Sequence, residues 1–315
     1  LEGQLEILHT YGITQEAMGI PVVANNDVEL LGSTSRGIQV YFDKLCLEQA
    51  DLVIPINRVK LHTDFVDTIQ SGMCKMLVIG LGNHKGCSAV HEEAPEVFAG
   101  AIEETARLIL QKAPVGFGIA ILENAYDKTY AVEAVPAEHL VEREKELVQI
   151  AKGNMPYIML DEADVIVCGA IGKDISGAGF DPNILGRSSV LKQFVLHIPR
   201  YQRLVLCDVT PASHGNGIGV GLFDVITKKV AEQLDLESMY ANAIACNCLG
   251  DASVPCTVDD EETAIRVALK CCRNIDRDHP RIIRIQNTLH LGEIEVSEAL
   301  LDAVRADSRM SLIEN

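Results

Sequence analysis

Two kinds of hydrophobic pattern alternate along this 315-residue chain. Short runs of consecutive apolar residues, typical of buried strands, occur at 51–56 and 164–167. Apolar residues spaced three and four apart, typical of amphipathic helices, occupy 94–112. Strands and helices in alternation predict an α/β fold with mostly parallel sheets.

A change of pattern at 113–115 marks the predicted domain boundary. Before it we predict a helix at 1–11, short β-rich segments at 21–24, 28–32 and 37–42, a short helix to Gln49 and the strand 51–56. After it we predict a hairpin at 115–136, a helix at 138–152 and strand–helix alternation over 203–207, 221–234, 237–248, 261–272, 281–286 and 295–306. We therefore expect an N-terminal α/β domain at 1–113, a C-terminal α/β domain at 114–315 and a ligand-binding cleft between them. Because neither an initiator Met nor a strand precedes the first helix, we expect the N-terminal domain to be incomplete at its start.

Composition narrows the class of protein. The chain is 48% apolar and 23% charged, which excludes disorder, and its net charge of −18 argues against a nucleic-acid partner while allowing a small anionic substrate. No apolar run reaches membrane-spanning length, and no C-x-x-C occurs among ten scattered cysteines. These features predict a cytoplasmic protein without a membrane partner, and they leave a homo-oligomer open.

Cationic and imidazole side chains follow the strand 51–56. His62 is a candidate general base, because the positive charge of Lys60 is expected to keep the pKa of His62 low. The alternative is a histidine in a surface loop without a catalytic role. The motif Ala-Asp followed by three apolar residues recurs at 163–167, and in both places a lysine follows nine residues after the Asp, Lys60 and Lys173. The recurrence indicates two strand ends that present lysines to one ligand, or it is a coincidence of a common strand start.

Lys75 and His91 are further candidates. Lys75 lies in the apolar run 72–79, where its ammonium either reaches water along an apolar stem or is a desolvated amine available for covalent chemistry. His91, at the head of the predicted helix, is a metal-ligand candidate by residue type, and an exposed histidine is the alternative. A glycine-rich loop at 172–183 with Lys173 and Arg187 nearby is either an anion-binding site or a simple turn. The glycines after MLVI do not fit a dinucleotide site, because no strand follows them at the required distance.

The order of these residues resembles that of the nickel-pincer lactate racemases and their homologues. The likeness rests on Ala50–Ile54, His62, Ser71–Lys75 and His91, and on the hairpin followed by a helix and ADVIV, over roughly residues 30–190. The resemblance implies an isomerase, a racemase or epimerase of a small 2-hydroxy acid. Its implied cofactor is a nickel-pincer nucleotide carried covalently by Lys75 beside Gly72, with His91 as nickel ligand. His62 would be one of two proton-exchanging histidines, and Lys60, Lys173 and Arg187 are the candidate substrate contacts.

The chain also departs from the family pattern. The second histidine of the family is missing upstream, Met73-Cys74 replaces a glycine pair, the segment from His62 to Lys75 is longer, and a substrate-binding lysine has no counterpart. Two alternatives therefore stay open. One is an enzyme of related fold that binds a small carboxylate or phosphate without the pincer, and the other is a catalytically inactive binding homologue.

Overall fold

The computed structural model describes residues 2–94 and 97–313. The helices in this part are α1 Glu2–Thr10, α2 Gln15–Met18, α3 Lys44–Gln49, α4 Met73–Lys75, α5 Asn83–His91, α6 Phe98–Lys112, α7 Leu140–Asn154, α8 Pro182–Leu185, α9 Lys228–Gln233, α10 Leu236–Ala245, α11 Glu261–Lys270 and α12 Leu301–Ala306. The strands are β1 Val28–Ser33, β2 Gln39–Asp43, β3 Ile56–Arg58, β4 Phe117–Glu123, β5 Thr129–Pro136, β6 Val165–Cys168, β7 Arg203–Leu206, β8 Val225–Thr227, β9 Cys256–Val258, β10 Ile282–Ile285 and β11 Ile294–Val296. Strands and helices alternate, so the protein has an α/β fold.

The chain forms two compact units that interleave in sequence. The first comprises Leu1–Lys60, Asp67–Leu122 and Ala131–Gln149, and the second comprises Leu61–Val66, Glu123–Tyr130 and Ile150–Asn315. The expected boundary at 113–114 falls inside the first unit. None of the helices in 2–94 and 97–313 is both long and apolar enough to cross a membrane.

The second unit is built on a six-stranded sheet with the order β11-β10-β6-β7-β8-β9, parallel except for the edge strand β11. The sheet is buried on both faces because alternate residues of β6 enter different cores. Ile166 and Cys168 join the core with Leu204 and Leu206, whereas Val165 and Val167 pack with α11. A strand covered on both sides has no polar face, which explains the continuous apolar run at this position in the sequence.

The first unit contains the antiparallel pair β1–β2 and most of a three-stranded sheet with the order β3-β4-β5. Helix α6 packs an apolar stripe inward, with Ile102, Ala106 and Ile109 fully buried. These helix and hairpin segments agree with the sequence patterns at 94–112 and 115–136.

The predicted strand 51–56 is wrong in its extent. Val53 makes an isolated bridge to Val115, and the paired strand β3 covers only Ile56–Arg58, at the edge of its sheet. Leu52 and Ile56 are about half exposed, at 50% and 53%. A continuous apolar run is typical of a central strand that is buried on both faces. Here the run belongs to an edge segment whose residues point alternately inward and outward, so the prediction of a buried strand is wrong. The β-rich segment expected at 21–24 is a loop.

Candidate functional site

Lys75 lies at the end of the short helix α4, which continues as a π-helical turn over Met76–Gly80. Gly72 is the N-cap residue of this helix, and the first N–H groups of the helix point at a carboxylate from α7. The N–H of Cys74 donates to Glu144 Oε2 at 2.9 Å, and Glu144 is fully buried. A carboxylate at a helix N-terminus satisfies N–H groups that have no partner within the helix. Glu144 therefore fixes the start of the segment that carries Lys75.

The carboxyl group of Glu144 has an unusually high pKa. Burial raises its pKa to about 7, against the opposing effect of the N–H groups of Cys74 and Met73. Its Oε1 atom has no hydrogen-bond partner in the described part of the chain. Gly72 makes room for this group, since a Cβ atom there would lie 2.5 Å from the Glu144 carboxyl carbon. The structure thus gives Gly72, expected as a cofactor contact, a packing role.

Lys75 shares its surroundings with Cys87 and His91 of helix α5. Cys87 Sγ lies 3.4 Å from His91 Nδ1, and Nδ1 lies 2.7 Å from the Cys87 carbonyl oxygen. The hydrogen bond from His91 lowers the pKa of the Cys87 thiol, and the same bond raises the pKa of His91. The Lys75 ammonium is near enough to act on both groups, and its charge lowers both pKa values. The first unit therefore brings together a lysine, an imidazole and a thiol whose pKa is lowered.

The position of His91 differs from the expectation that it begins the following helix. His91 is the last residue of α5, and α6 begins at Phe98. The Phe98 ring lies 4.9 Å from the His91 ring at an angle of 60°. A histidine in the last turn of a helix lies at the negative end of the helix dipole, which favours a cation there.

His62 belongs to the second unit and is held by its neighbours. Its ring stacks on Phe65 at 4.3 Å, and its Nδ1 accepts the N–H of Asp64 at 3.1 Å. An Nδ1 that accepts a hydrogen bond fixes the neutral ring with its proton on Nε2, so this tautomer donates from Nε2. In this tautomer the basic nitrogen is Nδ1, which accepts the Asp64 N–H, and Nε2 is a donor, so the expected role of His62 as a general base stays a prediction.

The His62 segment lies by the loop that follows β6. Asn183 of α8 donates from Nδ2 to the His62 carbonyl oxygen at 3.2 Å, and Asp64 is near enough to raise the pKa of Lys173 against a larger lowering by burial. Strand order reverses between β6 and β10, and in such sheets ligands bind beyond the carboxyl ends of the strands at the reversal. His62 and Lys173 therefore share a typical ligand-binding edge within the second unit.

Protein acceptors engage the two cations expected to bind a substrate anion. Lys173 Nζ donates to the Gly177 carbonyl oxygen and to Asn242 Oδ1, both at 2.7 Å. Arg187 donates to the Leu222 carbonyl oxygen at 2.8 Å and pairs with Asp224 at 2.7 Å. These contacts tie loops of the second unit together and give Arg187 a structural role, and its contact with a substrate anion stays a prediction.

Lys60 lies in the first unit, where its main chain forms a two-way bridge with Ser71 at 3.0 and 3.2 Å. The bridge links the stretch after β3 to the stretch before α4. The lysines of the two Ala-Asp motifs consequently belong to different units, and only the second motif, at 163–167, is a buried strand.

Two residues of this region escaped the sequence analysis. Cys87 stands four residues before His91, a spacing that places the two side chains on one face once a helix over 83–91 is known. Glu144 is 70 residues from Cys74 along the chain, and no local pattern indicates that pairing.

Comparison with known proteins gives distant structural matches. A lactate racemase apoprotein from Thermoanaerobacterium thermosaccharolyticum is 15% identical, with a TM-score of 0.45 over 81% of this chain and 73% of that one. A crystal structure of a protein from Thermotoga maritima is 12% identical, with a TM-score of 0.41 over 90% of this chain and 69% of that one. No protein-family model and no curated protein matches the chain.

Proposed function

We propose that this protein is an isomerase, a racemase or epimerase of a small 2-hydroxy acid, that carries a nickel-pincer nucleotide on Lys75. The observation that supports the proposal is the proximity of Lys75 to His91 in the first unit. These are the two residues to which the family resemblance gives the roles of cofactor anchor and nickel ligand.

The protein donors near Lys75 fit a metal that is held mainly by an organic group. No cluster of three or more His, Cys, Asp or Glu side chains suited to a metal ion occurs among the residues that the structure describes. Structural metal sites in proteins generally have four ligands, so a nickel ion bound at His91 needs further donors. A pincer group attached to Lys75 would supply those donors, and reversible hydride transfer at the substrate C2 is the chemistry that it contributes.

The residues of the chain have separate roles in this proposal. Lys75 anchors the group, and Glu144 and Gly72 hold the helix start from which Lys75 projects. His91 binds the metal. His62, with its Nε2 proton, exchanges a proton with the substrate hydroxyl, and Lys173 contributes positive charge near it to attract a carboxylate.

Intact-mass spectrometry and metal analysis of protein co-expressed with the cofactor-making enzymes test the proposal. We expect a covalent adduct and bound nickel in the unaltered chain and in Lys85→Ala, a matched control in α5. Lys75→Ala should lose both, and His91→Ala should keep the adduct with less nickel. An unaltered chain without the adduct would contradict the proposal. A different ligand at full occupancy would then favour the related enzyme without a pincer, and no ligand at all would favour the binding homologue.

A further inference from the structure

The sheet β3-β4-β5 has one buried face and one apolar face that is exposed. On the inner face, Ala120 and Leu122 are at most 2% exposed, and Gly118 lies against Met73 of α4 and Leu140 of α7. Because side chains alternate along a strand, the residues between them point to the outer face. The outward positions that belong to the first unit are Leu52, Ile54, Ile56, Phe117, Ile119, Ile121, Val132 and Ala134.

The sequence of β4 is that of a strand covered on both faces. Its residues, FGIAILE, are apolar at inward and outward positions alike up to the final glutamate. A sheet with one face in water normally has polar residues on that face. Here Ile56 remains 53% exposed and Val132 63% exposed. The outer face is therefore an apolar surface that the described part of the chain leaves open.

The size of this surface reaches what a stable dimer needs. The eight outward residues expose on the order of 600 Å² in one copy, and two such surfaces together amount to about 1,200 Å², the lower limit for a stable interface. Arg58, exposed at the end of β3, begins a polar rim that adds to this area.

We propose that the outer face packs on the same face of a second copy of the chain, in a dimer with two-fold symmetry. Twisted sheets pack face to face about 10 Å apart with their strands inclined by roughly 30°, so an apolar sheet face is complementary to a copy of itself. A two-fold axis brings identical surfaces together and leaves neither one open. None of the eight residues is charged, so the contact avoids direct repulsion although each chain has a net charge of −18.

The same sheet supports the segment that carries Lys75. Asn57 of β3 donates from Nδ2 to the Gly72 carbonyl oxygen at 2.8 Å, and the main chain of Lys60 forms its bridge with Ser71. Covering the outer face of β3 therefore stabilises the strand that holds the start of α4. The proposed dimer does not depend on the adduct at Lys75.

Sedimentation velocity of the full, cofactor-free chain between about 1 and about 100 µM tests the dimer. We expect the mass to rise with concentration from 34.3 kDa toward twice that value. Added NaCl should strengthen association, because it screens repulsion between two acidic copies and does not weaken apolar contact. The melting temperature should rise with protein concentration, since only folded copies associate.

Two variants on different strands identify the face. Ile56→Glu and Val132→Glu should each raise the dimer Kd by at least ~30-fold, the effect of losing a central interface contact. Circular dichroism should show unchanged secondary structure, because both side chains are exposed in the single chain. Ile244→Glu is the matched control, since Ile244 is 68% exposed on α10 of the second unit, and it should dimerise as the unaltered chain does.

Three results would overturn the proposal. They are an unaltered chain that stays monomeric at the highest concentration, a dimer that persists in both Ile56→Glu and Val132→Glu, and a dimer that weakens as NaCl is added. Because mass is measured without cofactor, none of these results bears on the Lys75 adduct.

Discussion

His62 is the residue whose chemistry depends most on a single hydrogen bond. Because the Asp64 N–H is donated to Nδ1, the neutral ring keeps its proton on Nε2. Tautomer control of this kind decides which nitrogen meets the substrate: here Nε2 presents a proton, and the role of His62 as a general base stays a prediction.

His62→Ala tests this role. We expect the adduct on Lys75 and the nickel content to be unchanged, while racemisation of the 2-hydroxy acid slows by ~10²–10⁴-fold, the usual contribution of a positioned acid or base. Phe65→Leu, which removes the stacked ring and leaves the imidazole, should have a smaller effect. Full racemase activity in His62→Ala would show that His62 takes no part in proton transfer.

Burial changes the proton affinity of the Glu144 carboxyl group. Its pKa is raised by burial to about 7 in the folded chain, above the ordinary value of 4.5. A raised folded pKa means that the folded state holds the proton more tightly than the unfolded state. The resulting stabilisation is fully present below pH 4.5 and is lost as the pH rises toward 7.

Glu144→Gln should remove that pH dependence. We expect this group to lower the free energy of unfolding of the unaltered chain by roughly 3 kcal/mol between about pH 4.5 and pH 8, because a tenfold difference in proton affinity corresponds to about 1.4 kcal/mol. The variant should lose less over the same interval. Urea unfolding at both pH values measures this change in the free energy of unfolding. Glu138→Gln, at an exposed glutamate, is the control and should show the same change as the unaltered chain. An equal pH effect in Glu144→Gln and the unaltered chain would contradict the raised pKa.

The start of helix α4 depends on the fit between Gly72 and Glu144. The backbone of Gly72 is extended, with φ at 178°, so any residue can adopt its conformation. The requirement for glycine comes from space, because a Cβ atom would lie 2.7 Å from both Glu144 oxygens. Substitution here therefore acts through the Glu144 contact that fixes α4.

Gly72→Ala should lower the free energy of unfolding by about 1–3 kcal/mol, the usual cost of overpacking a buried site. Gly153→Ala is the matched comparison, since that glycine is in α7 and a Cβ atom there meets nothing within 4 Å. It should stabilise the chain by up to ~1 kcal/mol, because alanine favours helix. Chemical denaturation of both variants decides the matter, and equal effects would argue against a steric role for Gly72.

Local patterns predicted some elements and missed others for identifiable reasons. The hairpin of β4 and β5 and helix α6 are correct because each has a periodicity and a turn or stop within a few residues. The apolar run at 51–56 led to the wrong prediction of a buried strand. The sequence alone does not distinguish an apolar residue at an exposed sheet edge from one in the core. The contact of Glu144 with Cys74 spans two helices and depends on tertiary packing, which no window of sequence contains.

Net charge is the property of the whole molecule with the most direct consequence for stability. Forty-five acidic residues face 27 basic ones, which leaves a net charge of −18. Charges of like sign repel across the whole surface and favour expansion of the chain. Ion pairs such as Arg281–Asp164, at 2.9 Å, act over much shorter distances.

Salt should separate these two effects. The Debye length falls from about 30 Å at 0.01 M to about 8 Å at 0.15 M, so added NaCl screens long-range repulsion and leaves contacts of about 3 Å nearly unchanged. We expect the melting temperature at pH 8 to rise by on the order of 2 °C or more over this range. The same salt step near pH 5 should have little effect, because the sequence pI is about 4.9 and the net charge there is close to zero. A melting temperature that falls with salt at pH 8 would mean that local ion pairs outweigh the net repulsion.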